Sequence, residues 1–169
     1  RFAACYMKGA DGRPALMDDP EKSRYLAPPK APSGGGGLVG TARDYMTFCQ
    51  MLLAKGTHGN TRLLGRKTVE LMTMNHLGGD MASMGQARFG ESSYHGIGFG
   101  LGFSVMLDPA KAQIAGTPGE YAWGGMASTA FWCDPKEDMA IVMMTQLVPS
   151  SSYPIRRELR VLTYQAIVD

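Results

Sequence analysis

The residues best suited to chemistry lie in the sequence Trp123-Gly124-Gly125-Met126. Two successive glycines on an edge strand would let a substrate acyl group lie against bare backbone, because neither residue carries a side chain. The N–H of Met126 is then free to point at the carbonyl oxygen and to form half of an oxyanion hole. Trp123 would form one wall of the pocket. The alternative interpretation is a β-bulge at Gly124-Gly125 with Trp123 buried in the core.

The histidines are the other candidate site residues. His58, His76 and His95 each lack a second ligand at the spacing of a helix or strand zinc site, so the sequence predicts no metal site. His76 and His95 flank a segment without clear periodicity. His95 and its neighbour Tyr94 are therefore candidates to line a cleft.

Other motifs are absent or out of context. Gly35-x-Gly37-x-x-Gly40 precedes a predicted helix, but a Pro-rich loop rather than a strand comes before it, and no acid follows about twenty residues later to hold a ribose. The sequence therefore predicts a tight turn there and no cofactor. The chain also has no Gly-x-Ser-x-Gly and no Ser-x-x-Lys sequence, so it contains no recognisable nucleophile with its base.

The elements that would position these residues begin with two helices. Thr41, with an acid at the third helical position, is a typical helix cap, and apolar residues recur at helical spacing until Lys55-Gly56 ends the helix. A second short helix is predicted near residues 66–75. Residues 8–32, rich in Gly, Pro and Asp, predict a long surface connection, and residues 80–95 predict a loop.

The second half of the chain predicts strands. Residues 96–106 alternate Gly with bulky apolar residues, which predicts a strand whose Gly face is approached closely by another element. Two further strands are predicted at 128–133 and 139–145. The short polar connection 134–138 would join them as a hairpin.

A C-terminal helix is predicted from Ile155 onward, with Arg156, Arg157 and Arg160 on its solvent side. The order of the elements predicts an α+β fold in which an antiparallel sheet is flanked by helices. Residues 1–95 would form its helical and loop part, and residues 96–169 its sheet and last helix.

Composition limits the remaining possibilities. The chain has 169 residues, 44% of them hydrophobic, which indicates one globular domain rather than disorder. A formal net charge of +2 is too small to favour a nucleic-acid partner, and no run of about 18 apolar residues could span a membrane. Cys5, Cys49 and Cys133 are too few and too scattered for a disulfide framework, so we expect reduced core cysteines. The localisation stays unknown, between cytoplasm and periplasm.

The whole pattern resembles the C-terminal part of the serine hydrolases related to class C β-lactamases and penicillin-binding proteins, in particular their esterase branch. The resemblance runs over nearly the entire chain, through the segments 33–38, 41–45, 62–64, 96–102 and 119–135. Several such matches in the right order are more specific than any one of them. Because the chain also opens with Arg1 in what reads as a strand, we expect a piece of a longer protein.

The resemblance implies a family with three motifs: Ser-x-x-Lys as nucleophile and base, a Tyr-x-Asn-like second element, and a third motif that is often Lys-Thr-Gly. Trp123-Gly124-Gly125 stands where Lys-Thr-Gly would, as in the esterase members, and the first two motifs are missing here. The resemblance implies that Met126 donates its backbone N–H to the oxyanion. It also implies substrate contacts for Trp123, Gly124, Gly125 and Tyr121.

The expected function is therefore that of the C-terminal portion, residues 1–169, of a transpeptidase-like serine hydrolase. Such an enzyme would act on an ester or amide, through an acyl-enzyme, as an esterase or a β-lactamase-like hydrolase. This chain alone, without the nucleophile, is expected to be inactive. Its expected partner is the missing N-terminal part or a second copy. The alternative is a non-catalytic binding or assembly module derived from a hydrolase fold.

Overall fold

The computed structural model describes residues 2–86, 91 and 93–168. The strands in this part of the chain are β1 (Cys5–Lys8), β2 (Pro14–Asp18), β3 (Thr57–His58), β4 (Thr61–Arg62), β5 (Ile97–Phe99), β6 (Ser104–Met106), β7 (Tyr121–Gly124), β8 (Ala130–Asp134), β9 (Met139–Met143) and β10 (Leu147–Val148). The α-helices are α1 (Ala42–Leu53), α2 (Arg66–Met72), α3 (Pro109–Ala112) and α4 (Ile155–Tyr164), and a 3₁₀ helix lies at Arg24–Leu26. No helix among the described residues is long and apolar enough to cross a membrane.

The main sheet is an antiparallel meander of five strands in the order β5-β6-β7-β8-β9. It confirms the predicted α+β class and both predicted strands, which here are β8 and β9. The predicted hairpin connection is also present. It starts at the buried carboxylate of Asp134, whose Oδ1 accepts the N–H groups of Lys136 at 3.0 Å and Glu137 at 3.3 Å.

Residues 96–106 form a hairpin, β5 and β6, so the prediction of a single strand is wrong. Gly102 has a φ of 96°, which allows the turn that period-two alternation does not reveal. The close approach to the glycine face is confirmed. A Cβ on Gly98 would lie 2.4 Å from Oδ1 of Asn75, just beyond α2. The missing side chains therefore let the end of α2 pack directly on this hairpin.

Helix α1 packs on one face of the main sheet and forms the core, as its amphipathic pattern predicts. Thr41 and Asp44 form a capping box: the Asp44 N–H donates to Oγ1 of Thr41, and the Thr41 N–H donates to the Asp44 carboxylate at 2.9 Å. The buried residues of this core are Cys49, Met51, Leu52, Val69, Phe103, Val105, Tyr121, Phe131 and Cys133. The parts of the chain before and after residue 95 thus share one core.

A smaller sheet, in the order β10-β1-β2, lies outside this core. β1 pairs in parallel with β10 and antiparallel with β2. Because β2 lies within residues 8–32, the prediction of a plain surface connection there is wrong. The cysteine prediction holds for Cys49 and Cys133, which are buried, but Cys5 on β1 is partly exposed.

Helix α4 is attached to the opposite face of the main sheet by polar side chains. Arg156 and Arg160 are partly buried against the sheet, so the prediction that they face solvent is wrong, whereas Arg157 is exposed as predicted. Arg156, Arg160 and Tyr164 follow one another at intervals of four residues and therefore lie on one face of the helix. We call these three residues the polar stripe.

Arg160 and Tyr164, the last two residues of the polar stripe, contact two buried carboxylates. Arg160 forms an ion pair with Glu120, which is 2% exposed, and its guanidinium lies 4.6 Å from the centre of the Trp132 ring. The Tyr164 hydroxyl lies within hydrogen-bond distance of Glu120 and 2.8 Å from Oδ2 of Asp134. Burial raises the pKa of Glu120 above its ordinary value, while Arg160 opposes this shift.

Replacing Tyr164 by Phe tests whether these contacts hold α4 in place. The change leaves two buried carboxylates without a hydroxyl partner, so we expect the free energy of unfolding to fall by about 1–3 kcal/mol. Equilibrium urea unfolding measures it. Tyr153→Phe is the matched control, because Tyr153 is exposed and its ring contact with Lys8 survives the change. Equal stability of the two variants would contradict the assignment.

Candidate active site

The glycines of the candidate motif lie at the end of β7. β7 is an interior strand, so the expectation of an edge strand is wrong for its first half. Its pairing with β6 ends at Ala122, however, whereas its pairing with β8 continues to Gly124. The last part of β7 therefore has one side without a ladder partner.

Trp123 lies at the surface beside this free side. It is 38% exposed and contacts Phe99 edge-to-face at 5.0 Å between ring centroids. The register of β7 and β8 is regular, with Trp123 opposite Phe131 and Gly124 opposite Ala130. These observations contradict the alternative of a bulge with a buried Trp123.

A tight turn joins β7 to β8. The Gly125 N–H donates to the Thr129 carbonyl at 3.0 Å, and the Ser128 N–H donates to the Gly125 carbonyl at 3.2 Å. Ser128 is buried with a φ of 67°, and its hydroxyl donates to the Leu147 carbonyl at 2.6 Å. The turn is thus fixed both to itself and to β10.

Met126 lies at the tip of this turn. Met126 is 69% exposed, and within the described part of the chain no acceptor contacts its N–H. A backbone N–H without an internal partner either faces solvent or is available to a ligand. The geometry therefore keeps this donor available, as an oxyanion hole requires.

Arg156 of α4 binds the backbone of this turn. Its Nη2 donates to the carbonyl of Gly125 at 2.6 Å and to the carbonyl of Thr129 at 2.8 Å. Its backbone N–H donates to Oε1 of Glu91 at 2.8 Å. Partial burial lowers the pKa of Arg156 below its ordinary value, and Glu91 opposes this shift.

Gly124 is required by this arrangement. A Cβ at this position would lie 2.8 Å from the Thr129 carbonyl oxygen and 2.9 Å from both Cζ and Nη2 of Arg156. Any side chain would therefore push the guanidinium out of its place. The need for glycine here comes from the Thr129 carbonyl and from the arginine.

A cavity of about 450 Å³ lies between β7 and α4. Tyr94, Gly124, Gly125, Met126, Trp132 and Arg156 are among the residues that line it. The expected cleft residue Tyr94 is thus at the cavity, whereas His95 is exposed and does not line it. Tyr121 is expected to contact substrate, but its side chain is buried in the core and only 2% exposed, so we do not include it in the site.

The segment before Tyr94 begins with an ordered turn. The carboxylate of Asp80 accepts the Ser83 N–H at 2.7 Å and the Gly96 N–H at 2.9 Å. These hydrogen bonds lower the pKa of Asp80 to about 2, and the one from Gly96 has the larger effect. Of the predicted loop 80–95, residues 87–90 and 92 lie outside the described residues.

The sequence did not point to Arg156 as a site residue. The available signal was the spacing of Arg156, Arg160 and Tyr164 on one helix face, together with the acids Glu120 and Asp134 close to strands. In the described ranges, no group of three or more His, Cys, Asp or Glu side chains could hold a metal ion. The groups brought together at the turn are its glycines, its backbone polar groups and the guanidinium of Arg156.

Comparison with known proteins gives one family. The Beta-lactamase family model matches residues 1–165. Two curated proteins of Mycobacterium tuberculosis, Uncharacterized protein MT1414 of strain CDC 1551 / Oshkosh and Protein Rv1367c of strain ATCC 25618 / H37Rv, are each 33% identical over 152 residues. The match covers 88% of this chain, which spans 37% of the length of these relatives.

Solved structures give the same fold. EstCE1, a hydrolase with promiscuous acyltransferase activity, matches with a TM-score of 0.75 and 26% identity, over 96% of this chain and 43% of its own. The simvastatin synthase LovD of Aspergillus terreus matches with a TM-score of 0.70 and 24% identity, over 93% of this chain and 40% of its own. The fold is thus that of the C-terminal part of β-lactamase-like hydrolases and acyltransferases.

Replacing Gly124 by Ala tests the close packing beneath the turn. Because the new Cβ meets a backbone oxygen as well as the guanidinium, we expect the free energy of unfolding to fall by about 1–3 kcal/mol. Urea unfolding again provides the measurement. Gly36→Ala is the control, since a Cβ at Gly36 meets nothing within 4 Å. If both glycine variants were equally stable, the packing described here would be wrong.

Proposed function

The chain belongs to the β-lactamase family, and on that premise we propose that it is the C-terminal part of a serine hydrolase that cleaves an ester or amide through an acyl-enzyme. The observation that carries the proposal is the available N–H of Met126 beside the free side of β7. Family membership alone does not define an activity, because function resides in the site. Here the site supports one component of acyl-transfer chemistry.

The proposed reaction has two steps. A serine Oγ from outside this chain attacks the carbonyl carbon of the substrate while a base takes its proton. The electron pair of the C=O bond moves to oxygen and forms an oxyanion. When the pair returns, the bond to the leaving alcohol or amine breaks, and the leaving group takes the proton. Water repeats the attack on the acyl-serine and releases the carboxylic acid and the free serine.

The contribution of this chain is electrostatic. The Met126 N–H would donate to the oxyanion, and the N–H of the serine would be the second donor. Gly124 and Gly125 would let the acyl group approach the backbone, and Trp123 would form a wall beside it. The cavity next to Gly124 and Met126 supports this placement, because it gives an acyl or alcohol group space close to the donor.

The 169 residues would not catalyse this reaction by themselves, because they contain neither Ser-x-x-Lys nor Tyr-x-Asn. We expect no adduct when this chain is treated with a fluorophosphonate probe and weighed by denaturing mass spectrometry. The longer protein that carries the serine should gain one adduct. If the 169 residues hydrolysed an activated ester well above the buffer rate, the expectation that they are inactive by themselves would be wrong. A full-length protein that takes up no probe would favour a binding or assembly module.

Replacing Met126 by Pro removes the proposed donor, since proline has no N–H. In the full-length enzyme we expect kcat/KM to fall on the order of a hundredfold or more. Met126→Ala is the control, because it alters the side chain but keeps the N–H. Similar activity of the Pro and Ala variants, with similar thermal stability, would exclude Met126 as an oxyanion donor.

A further inference from the structure

The contact between Arg156 and Gly125 acts on the same peptide unit as the proposed oxyanion donor. The Gly125 carbonyl and the Met126 N–H belong to one planar peptide, so they point in opposite directions. A group that fixes the carbonyl oxygen therefore also fixes the direction of the N–H. Arg156 is such a group, with Nη2 2.6 Å from that oxygen.

The peptide needs this support because glycine precedes it. Gly125 has no side chain to restrict its ψ angle, so rotation of the Gly125–Met126 peptide costs little. The turn supplies one other hydrogen bond to the Gly125 carbonyl, from Ser128 at 3.2 Å. The bond from Arg156 is shorter and comes from a charged donor, which makes it the stronger of the two.

The guanidinium also changes the donor strength of the N–H. A cation beside a carbonyl oxygen withdraws electron density from the peptide, and hydrogen bonds in a chain polarise one another. The positive charge of Arg156 is thereby relayed to the Met126 hydrogen. The partial burial of Arg156 strengthens this effect, since the charge is less screened by water than at an exposed site.

Arg156 is held both at its backbone and at its guanidinium. The backbone N–H of Arg156 bonds to Glu91, and Nη2 is shared between Gly125 and Thr129. One turn further along α4, Arg160 is paired with the buried Glu120, which fixes the helix against the sheet. Arg156 thus reaches the turn from a rigid element rather than from a loop.

We propose that Arg156 is a positioning residue of the oxyanion hole: it holds the Gly125–Met126 peptide with its N–H towards the reacting carbonyl and strengthens that donor. The proposal rests on the function proposed for Met126. It assigns to Arg156 of α4 an influence on transition-state stabilisation that acts through the Gly125–Met126 peptide.

The test uses the full-length enzyme with Arg156→Gln and Arg156→Lys. We expect Arg156→Gln to lower kcat on the order of tenfold or more with little change in KM, because the lost interaction matters in the transition state. Arg156→Lys keeps the charge but not the planar fork, so its kcat should lie between those of the wild type and Arg156→Gln. Arg62→Gln is the matched control: it removes an exposed arginine that lies outside the cavity lining and whose Nη1 donates to the Leu64 carbonyl at 3.3 Å.

The second readout is the infrared stretching band of the acyl-enzyme carbonyl, labelled with carbon-13. A weaker oxyanion hole polarises this carbonyl less, so the band should move to higher wavenumber in Arg156→Gln and stay unchanged in Arg62→Gln. A loss of activity without a band shift would mean that Arg156 is merely structural and would overturn the proposal. If Arg156→Gln does not fold, the band of Arg156→Lys takes its place in the test. A lower kcat of Arg156→Lys without a band shift would then overturn the proposal.

Parallel assays of the Met126 variants separate the two proposals. If Met126→Pro is inactive while Arg156→Gln keeps both its activity and its band position, only the role of Arg156 fails. If Met126→Pro is as active as Met126→Ala, the function proposed for Met126 fails, and the role of Arg156 fails with it.

Discussion

The structure depends on the buried carboxylate of Glu120 and its partners on α4. A buried carboxylate is costly unless it is paired, and here Arg160 and Tyr164 supply the pairing. None of the residues of α4 is fully buried, and its apolar residues Ile155 and Leu159 are half-buried. The polar contacts of Arg160 and Tyr164 therefore contribute strongly to the position of its axis. A small displacement of α4 would leave a charge unpartnered inside the protein, which makes the position well defined.

This constraint reaches the candidate site through the geometry of the helix. Arg156 lies four residues before Arg160 on the same face, so fixing Arg160 on Glu120 brings the Arg156 guanidinium under the turn between β7 and β8. The turn carries the available N–H of Met126. The polar attachment of α4 and the absence of a side chain at Gly124 thus both act on the Gly125–Met126 peptide.

Much of this arrangement can be predicted from local sequence signals. The capping box of α1, the two strands joined at Asp134 and the start of α4 follow from patterns that need only neighbouring residues. The Trp123-Gly124-Gly125 motif could also be found, because successive glycines beside an aromatic residue are unusual in a strand. These features concern single elements and their boundaries.

The remaining features depend on contacts between distant residues. The arginines of α4 are predicted to be solvated because most arginines are, and only the placement of Glu120, forty residues earlier in the chain, shows otherwise. Likewise, β2 depends on its pairing with β1. The turn at Gly102 depends on a positive φ, which the alternation of glycine with apolar residues does not encode. The burial of Tyr121 also cannot be predicted from its closeness to Trp123 in sequence, because that closeness does not show which residues cover its ring.

The most direct test of the central claim is a crystal structure of the full-length protein after reaction with a fluorophosphonate. The phosphonyl oxygen of such an adduct occupies the position of the oxyanion. We predict that it lies about 2.7–3.1 Å from the Met126 nitrogen, with the Arg156 guanidinium still bound to the Gly125 carbonyl. An oxygen that accepts its hydrogen bonds elsewhere, with the Met126 N–H turned to solvent, would contradict the account.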